Sequence, residues 1–125
     1  VMNNTVYGMT GGQMAPTTMI GQRTTSSKDG RILADSGENF DVVKIMRGLA
    51  IAYLARTSVT NPANVAKTKK YVRKALEKQR DCKGFSLVEV LVPCPTNWGM
   101  TPPKSMEYIN DVMTKQYELG EFIDR

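Results

Sequence analysis

The sequence predicts a single α/β domain of three layers, with helices on both sides of a mostly parallel sheet. Two almost wholly apolar segments, Ile51 to Val59 and Phe85 to Val92, are typical of strands buried on both faces. A helical segment of about twenty residues lies between them, which is the connection that neighbouring parallel strands require. The chain has 125 residues, 41% of them hydrophobic, which is enough for one packed core.

The region before the first of these strands predicts little regular structure. Val1 and Met2 are interpreted as the end of another parallel strand, broken off at its start, so we expect the chain to be a fragment. The segment from Thr10 to Gly37 is rich in Gly, Thr, Ser and Pro and has no apolar period, so it predicts a long loop.

A short helix is expected next, capped by Asn39, running to about Arg47 and ending at Gly48. Its predicted apolar face consists of Val42, Ile45 and Leu49.

The connecting helix has a well-defined predicted start. Asn61 can cap it, and Pro62 stands at the first helical position, where a missing N–H costs nothing. We expect it to reach about Gln79 with its lysines outward; the predicted inward residues are Val65, Val72 and Leu76. A last helix should start at Thr101 and Pro102 and end near Gly120; its predicted apolar side contains Met106, Ile109, Val112 and Met113.

The composition excludes several kinds of site. The chain has no histidine, which excludes Ser-His, Cys-His and His-zinc arrangements. Cys82 and Cys94 lack metal-type spacing, and we expect no disulfide between them. No apolar run is long enough to span a membrane and no signal peptide is visible, so we expect a soluble cytoplasmic protein without a membrane partner.

The positive charge is concentrated in the connecting helix. Eight basic and two acidic residues fall between Asn61 and Lys83, a local balance of +6 in a chain of net charge +5. Such a face is either merely solvated or a docking surface. One alternative function is therefore a small basic domain that binds nucleic acid or another polyanion. Against it, only Tyr71 is interleaved with the lysines and no nucleic-acid-binding module matches.

The first residues contain the most informative motif. Asn3 and Asn4 end the first predicted strand, and the segment Tyr7-Gly8-Met9-Thr10-Gly11-Gly12-Gln13 follows. An asparagine oxygen suits magnesium, and glycines let backbone amides approach a phosphate, although an Asn pair alone also fits a turn or a helix cap. Ligands of parallel sheets gather beyond the carboxyl ends of the strands. We therefore expect the Asn4 loop to face the Pro-Cys-Pro loop after Val92.

Read together, Asn3 to Thr18 resembles the end of the thiamine diphosphate motif in the β subunit of 2-oxoacid:ferredoxin oxidoreductases. That motif is Asn-Asn, two residues, Tyr-Gly-Met/Leu-Thr, Gly or Lys, Gly-Gln, a small residue and Pro-Thr. The resemblance continues through Ala50 to Asn61, Lys67 to Gln79, Gly84 to Leu91, Pro93 to Pro102, and Tyr117 to Phe122. It implies the C-terminal part of a thiamine diphosphate-binding fold, with a cofactor loop (1–38), a helix plus βαβ unit (39–92), and a Cys-Pro loop with a C-terminal helix (93–125).

The resemblance implies roles for particular residues. Asn4 would be the side-chain ligand and Val6 the backbone-carbonyl ligand of a magnesium ion bound to the cofactor diphosphate. Cys94 stands where the family has the last thiolate ligand of a [4Fe-4S] cluster; without the resemblance it would be a buried small residue. The expected cofactor contacts are Tyr7, Gly8, Met9, Thr10, Gly11, Gly12 and Gln13, with Met9 lining the acid pocket. No catalytic residue is assigned, and Cys82 is interpreted as a plain thiol.

Two family features are missing from these residues: a Gly-Asp-Gly segment with the acidic magnesium ligand, and the other three cluster cysteines. We therefore expect the 125 residues alone to be inactive and to bind neither cofactor tightly.

In the intact enzyme, the resemblance implies α and other subunits, ferredoxin, coenzyme A and a 2-oxoacid of the 2-oxoisovalerate or 2-oxoglutarate type, in anaerobic metabolism. The connecting helix would then dock an acidic ferredoxin or coenzyme A phosphates.

Overall fold

A computed structural model describes all residues 1–125 as a three-layer α/β structure. The central sheet has the order β1-β5-β4-β6 and contains Met2–Asn3 (β1), Tyr53–Ser58 (β4), Ser86–Leu91 (β5) and Gly120–Asp124 (β6). The first three of these strands are mutually parallel, and β6 pairs antiparallel with β4. The predicted βαβ unit and the parallel strand at the start of the chain are therefore confirmed.

The predicted loop contains more structure than its composition indicated. Val6–Tyr7 (β2) and Gln13–Met14 (β3) form a small antiparallel hairpin, and Leu33–Ser36 (α1) is a single helical turn. The next helix, Val42–Met46 (α2), is capped by Asp41, whose Oδ1 accepts from the backbone N–H of Val43 at 3.0 Å.

Two predictions about this short helix were wrong. Asn39 does not cap it, because its side chain contacts Tyr117 and Gln116 while the Asp41 carboxylate takes the helix amides. Ile45 and Leu49 are exposed; the buried residue is Val43, which packs with Ile51, Leu54 and Leu87. The helix starts two residues later than expected, and Val43 is the residue that it turns toward the sheet.

The connecting helix α3, Pro62–Arg80, begins as predicted, with Asn61 Oδ1 accepting from Asn64 N at 2.9 Å. Two of its three expected inward residues are wrong, because Val72 is 39% and Leu76 64% exposed, whereas Val65 is half-buried. Thr68 faces the sheet instead and bonds to the Ser58 carbonyl at 3.0 Å.

Toward the end of α3, Lys74 and Lys78 reach the acids of β6. The inner face of the helix is therefore partly polar, because a polar sheet edge lies beneath it.

The C-terminal region departs most from expectation. Pro95–Trp98 (α4) is a short helix in the Cys-Pro loop, and Pro102–Tyr108 (α5) continues through a π-helical turn, Ile109–Met113, into Thr114–Gln116 (α6). The predicted helix thus ends at Gln116 rather than near Gly120, and β6, which was not predicted, follows. Val112 is partly exposed, whereas Ile109 and Met113 pack on Met19, Leu91 and Tyr117.

Both cysteines are free, as expected. None of the helices combines the length and the apolar character that a bilayer crossing requires.

Candidate functional site

The loops after β1 and β5 meet at one edge of the sheet, as the sequence predicted. The two strands are adjacent and parallel, with Asn3 opposite Leu91, so the loops that follow them leave the sheet in the same direction. Trp98 Nε1 donates to the Asn4 carbonyl at 3.1 Å, and Asn97 Nδ2 donates to the Gly8 carbonyl at 3.1 Å. Two hydrogen bonds therefore join the asparagine loop to the Cys-Pro loop.

Gly8 lies where the side chains of Asn4, Cys94 and Asn97 converge. A Cβ atom built there would lie 3.2 Å from Asn4 Nδ2, 3.3 Å from Asn97 Nδ2 and 3.3 Å from Cys94 Sγ. Gly12 is more constrained, because its φ is +80° and a Cβ atom would lie 2.6 Å from Asn97 Oδ1. The two glycines let the backbone approach the Cys-Pro loop at distances that a side chain would prevent.

The turn at Asn4 has an unusual backbone conformation. Thr5 is fully buried and has φ of +61°, which is rare for a residue other than glycine. Its amide donates to Asn3 Oδ1 at 2.9 Å, its hydroxyl accepts from Gln22 Nε2 at 2.8 Å, and its carbonyl accepts from Thr18. Such strain persists only where neighbouring groups enforce it, and it often occurs at functional sites.

The Asn4 side chain offers an oxygen of the kind that magnesium binds in proteins. Asn4 is half-buried, and its Oδ1 accepts only a long bond of 3.3 Å from the Val6 amide. Amide and carbonyl oxygens are hard ligands of the kind magnesium prefers. The structure contains no group of three or more His, Cys, Asp or Glu side chains that could hold a metal ion.

A cavity of about 310 Å³ opens beside this turn. Asn3, Asn4, Val6 and Glu89 contribute to its wall, and the remaining lining is mostly apolar, with Phe40 and Tyr7 partly exposed. It is an open cleft with a polar end, which is the general form of a site for an organic cofactor.

The other predicted contact residues lie farther along the hairpin. Met9 is fully exposed at the tip, and Thr10 and Gln13 bond to each other, with Thr10 Oγ1 to Gln13 Oε1 at 2.7 Å. The structure thus brings Asn4, Gly8, Gly12 and Cys94 together, and the Asn97 side chain lies against the last three of them. Met9, Thr10 and Gly11 form an exposed tip, and Gln13 beside them is half-buried.

Cys94 fits a single thiolate ligand. It is half-buried, and Asn97 Nδ2 donates a hydrogen bond to its Sγ at 3.1 Å. Cys82 precedes β5 and Cys94 follows it, so the length of that strand, about 20 Å, separates them. They cannot bind one cluster together.

Sequence reasoning missed a buried ion network below the site. Arg56 Nε donates to Glu89 Oε2 at 2.6 Å, and its Nη2 donates to Asp41 Oδ1 at 2.5 Å. Burial raises the pKa of Asp41, but the hydrogen bond and charge of Arg56 outweigh it and hold that pKa below its usual value. An acidic residue within the apolar strand Ser86–Leu91 was the one signal of this network in the sequence.

Arg31, which the sequence did not predict as important, organises the long loop between Thr10 and Gly37. It is buried without a carboxylate partner, and its guanidinium donates to six backbone carbonyls. The acceptors are those of Ala15, Pro16, Thr18, Ser36, Gly37 and Glu38, at 2.9 to 3.2 Å. One side chain thus joins both ends of the segment that follows the asparagine turn.

The chain is similar to known proteins over most of its length. The family described as "Thiamine pyrophosphate enzyme, C-terminal TPP binding domain" matches residues 1–90. The chain is 41% identical over 125 residues to the ketoisovalerate oxidoreductase subunit VorA of Methanothermobacter marburgensis, covering 99% of this chain and 26% of that protein.

More distant relatives have related names. The chain is 33% identical over 111 residues to the 2-oxoglutarate synthase subunit KorB of Archaeoglobus fulgidus, covering 89% of this chain and 38% of that protein. It is 32% identical over 117 residues to the 2-oxoacid:ferredoxin oxidoreductase subunit beta of Saccharolobus solfataricus, covering 94% of this chain and 31% of that protein. The chain therefore spans about a quarter to two fifths of the length of these relatives.

Proposed function

The chain belongs to the thiamine pyrophosphate enzyme family, as its C-terminal TPP-binding domain, and from this premise we propose that it forms one side of the cofactor site in a 2-oxoacid:ferredoxin oxidoreductase. The observation that carries the proposal is the convergence of Asn4, Gly8 and Cys94 where two loops meet at one sheet edge. One loop has oxygen atoms of the kind that bind magnesium, and the other has a single thiol. A diphosphate site and an iron–sulfur site would therefore be neighbours.

Asn4 and Val6 would hold magnesium through the amide Oδ1 and the backbone carbonyl. Thr5 orients both groups, because its left-handed conformation fixes the turn between them. Gly8 and Gly12 keep side chains out of the space beside the turn. Thiamine diphosphate, when bound, supplies the carbanion chemistry that a chain without histidine lacks.

Cys94 would supply one thiolate of a [4Fe-4S] cluster. Asn97 donates to its sulfur and also ties the loop to Gly8, so one side chain would fix the cluster ligand relative to the cofactor loop. Hydrogen bonds to cluster sulfur are one way in which a protein adjusts reduction potential.

We propose 2-oxoisovalerate as the substrate and 2-oxoglutarate as the second candidate, because the relatives that match at 41% and 38% identity are named ketoisovalerate oxidoreductase subunits. The exposed Met9 would meet the acid when another subunit closes over the hairpin tip. Electrons would pass to ferredoxin and the acyl group to coenzyme A, with α and other subunits completing the enzyme. The cytoplasmic location and the inactivity of the isolated chain stay predictions.

The proposal is tested in the enzyme complex that contains this chain. Asn4→Ala should weaken magnesium-dependent binding of thiamine diphosphate at least about tenfold, since a metal ligand is lost. Asn110→Ala, at an exposed asparagine outside both loops, is the control. Unchanged cofactor affinity in Asn4→Ala, measured by calorimetry, would contradict the proposal.

A second pair of variants tests the thiol. Cys94→Ser should lower the iron content and remove or shift one electron paramagnetic resonance signal of the reduced enzyme, with cofactor affinity little changed. Cys82→Ser should leave both the iron content and the spectrum as they are. Identical spectra for Cys94→Ser and the wild type would exclude the cluster role.

A further inference from the structure

A continuous series of buried polar contacts connects the middle of the sheet to the Asn4 turn. Arg56 on β4 stands opposite Glu89 on β5 in the strand register, and its Nε donates to Glu89 Oε2 at 2.6 Å. The other carboxylate oxygen of Glu89 accepts from Asn3 Nδ2 on β1 at 2.8 Å. Glu89 is completely buried, and its two oxygens bind side chains from the two neighbouring strands.

Asn3 connects Glu89 to the turn at Asn4. Its Oδ1 accepts from the Thr5 amide at 2.9 Å and from Thr17 Oγ1 at 2.8 Å. Asn4 is the residue between Asn3 and the left-handed Thr5, so the side chain of Asn3 determines the direction in which Asn4 leaves the strand.

A purely stabilising role does not explain why a glutamate occupies this position. Alternation along β5 puts it on the same face as Leu87 and Leu91, which belong to two separate apolar clusters. Replacing buried ion pairs by apolar residues often leaves stability unchanged or raises it, so ion pairing alone does not explain a carboxylate here. Glu89 also lines the same cavity as Asn3, Asn4 and Val6.

We infer that Glu89 is a positioning residue for the magnesium turn, acting through Asn3. Arg56 holds the carboxylate, the carboxylate holds the Asn3 amide, and Asn3 holds Thr5 in the conformation that turns Asn4 Oδ1 and the Val6 carbonyl toward one ion. This inference rests on the proposed function, and it adds a residue that does not itself contact the metal or the cofactor.

The test compares manganese-supported binding of thiamine diphosphate in variants of the enzyme complex, with free Mn²⁺ measured by electron paramagnetic resonance. Glu89→Gln keeps the size of the side chain but removes its charge, and Asn3→Ala removes the link to Thr5. Each should weaken binding about tenfold, as expected for a lost hydrogen bond to a charged group.

The double variant separates positioning from general stability. If Glu89 acts through Asn3, the combination of Glu89→Gln and Asn3→Ala should bind no more weakly than the weaker single variant. Lys74→Met, which removes ion pairs at the β6 edge, is the control and should leave metal affinity unchanged. Wild-type affinity in Glu89→Gln, or additive losses in the double variant, would overturn the inference.

Two further outcomes make the result decisive. Should Glu89→Gln fail to fold, Asn3→Ala decides alone, because it removes the side chain through which Glu89 would act on Thr5; wild-type affinity there would overturn the inference. A wild-type complex that binds no thiamine diphosphate would instead overturn the proposed function, and the inference with it.

Discussion

The indole Nε1 of Trp98 donates a hydrogen bond to the backbone carbonyl of Asn4, a residue 94 positions earlier in the chain. This contact ties the Cys-Pro loop to the residue that we propose as the side-chain ligand of magnesium. The ring of Trp98 also packs against Tyr108, with centroids 5.2 Å apart, so α5 supports the indole from behind. The orientation of Asn4 therefore depends on packing in the C-terminal helix.

Trp98→Phe should reduce cofactor affinity. The variant keeps an aromatic ring against Tyr108 but loses the donor to Asn4, and a hydrogen bond of this kind contributes about 0.5–1.5 kcal/mol. Magnesium-dependent binding of thiamine diphosphate to the enzyme complex should weaken by about twofold to tenfold in calorimetric titration.

Tyr108→Phe is the matched control for this substitution. It keeps the ring pair and removes a hydroxyl that makes no hydrogen bond in the structure, so affinity should equal that of the wild type. Equal loss of affinity in both variants would show that ring packing, and not the Asn4 contact, matters.

Gly12→Ala should destabilise the junction of the two loops. Its Cβ atom would lie 2.6 Å from Asn97 Oδ1, and its φ of +80° is unfavourable for any L-residue with a side chain. Gly21→Ala is an almost ideal control, because Gly21 has φ of +79° and nothing within 4 Å of a built Cβ atom.

Both substitutions carry the same backbone cost, of about 1 kcal/mol, and only Gly12→Ala adds a clash. The melting temperature of the complex should therefore fall more for Gly12→Ala, and its cofactor affinity should fall as well. Similar results for the two variants would mean that the Asn97 side chain moves away without consequence.

Arg31→Lys should loosen the long loop despite keeping the charge. A lysine has three donors on one nitrogen and cannot reach six carbonyls arranged around a planar guanidinium. Hydrogen exchange should accelerate at least about tenfold in residues 15–38, since buried carbonyls lose their partner.

Arg23→Lys provides the comparison for Arg31. Arg23 is exposed and makes neither a side-chain hydrogen bond nor an ion pair, so exchange in the loop should not change. Unaltered protection of the loop amides from hydrogen exchange in Arg31→Lys would show that the hairpin and the neighbouring threonines hold the loop without the guanidinium.

The sequence allowed the βαβ unit and the meeting of the two loops to be predicted, because their signals are local. Asn61 and Pro62 define a helix start by their own chemistry, and apolar strands are visible as runs. Arg31 has no such signal, because its acceptors are backbone carbonyls that only the folded loop assembles. Strand β6 was missed since its short, half-polar sequence becomes a strand only beside β4 and the two lysines of α3.

The outer face of α3 is the remaining candidate for a partner surface, and the structure changes which residues should test it. Lys74 is bound to Glu121 and Asp124, so reversing its charge would damage the sheet edge. Lys69, Lys70 and Arg73 make no ion pair and line a shallow groove of about 270 Å³. These three cations, beside the partly exposed Val72, are free to meet an acidic protein.

Changing Lys69, Lys70 and Arg73 to glutamate should slow ferredoxin reduction by the enzyme complex about tenfold or more at low salt, because the attraction that accelerates encounter becomes repulsion. The difference should shrink as ionic strength rises and the Debye length falls to a few ångströms. Reduction of a small neutral dye should stay unchanged, which separates docking from cofactor chemistry. The exposed Lys28 and Lys44, reversed together, serve as the control. Equal ferredoxin rates for the wild type and the triple variant at low salt would leave α3 as a solvated helix face only.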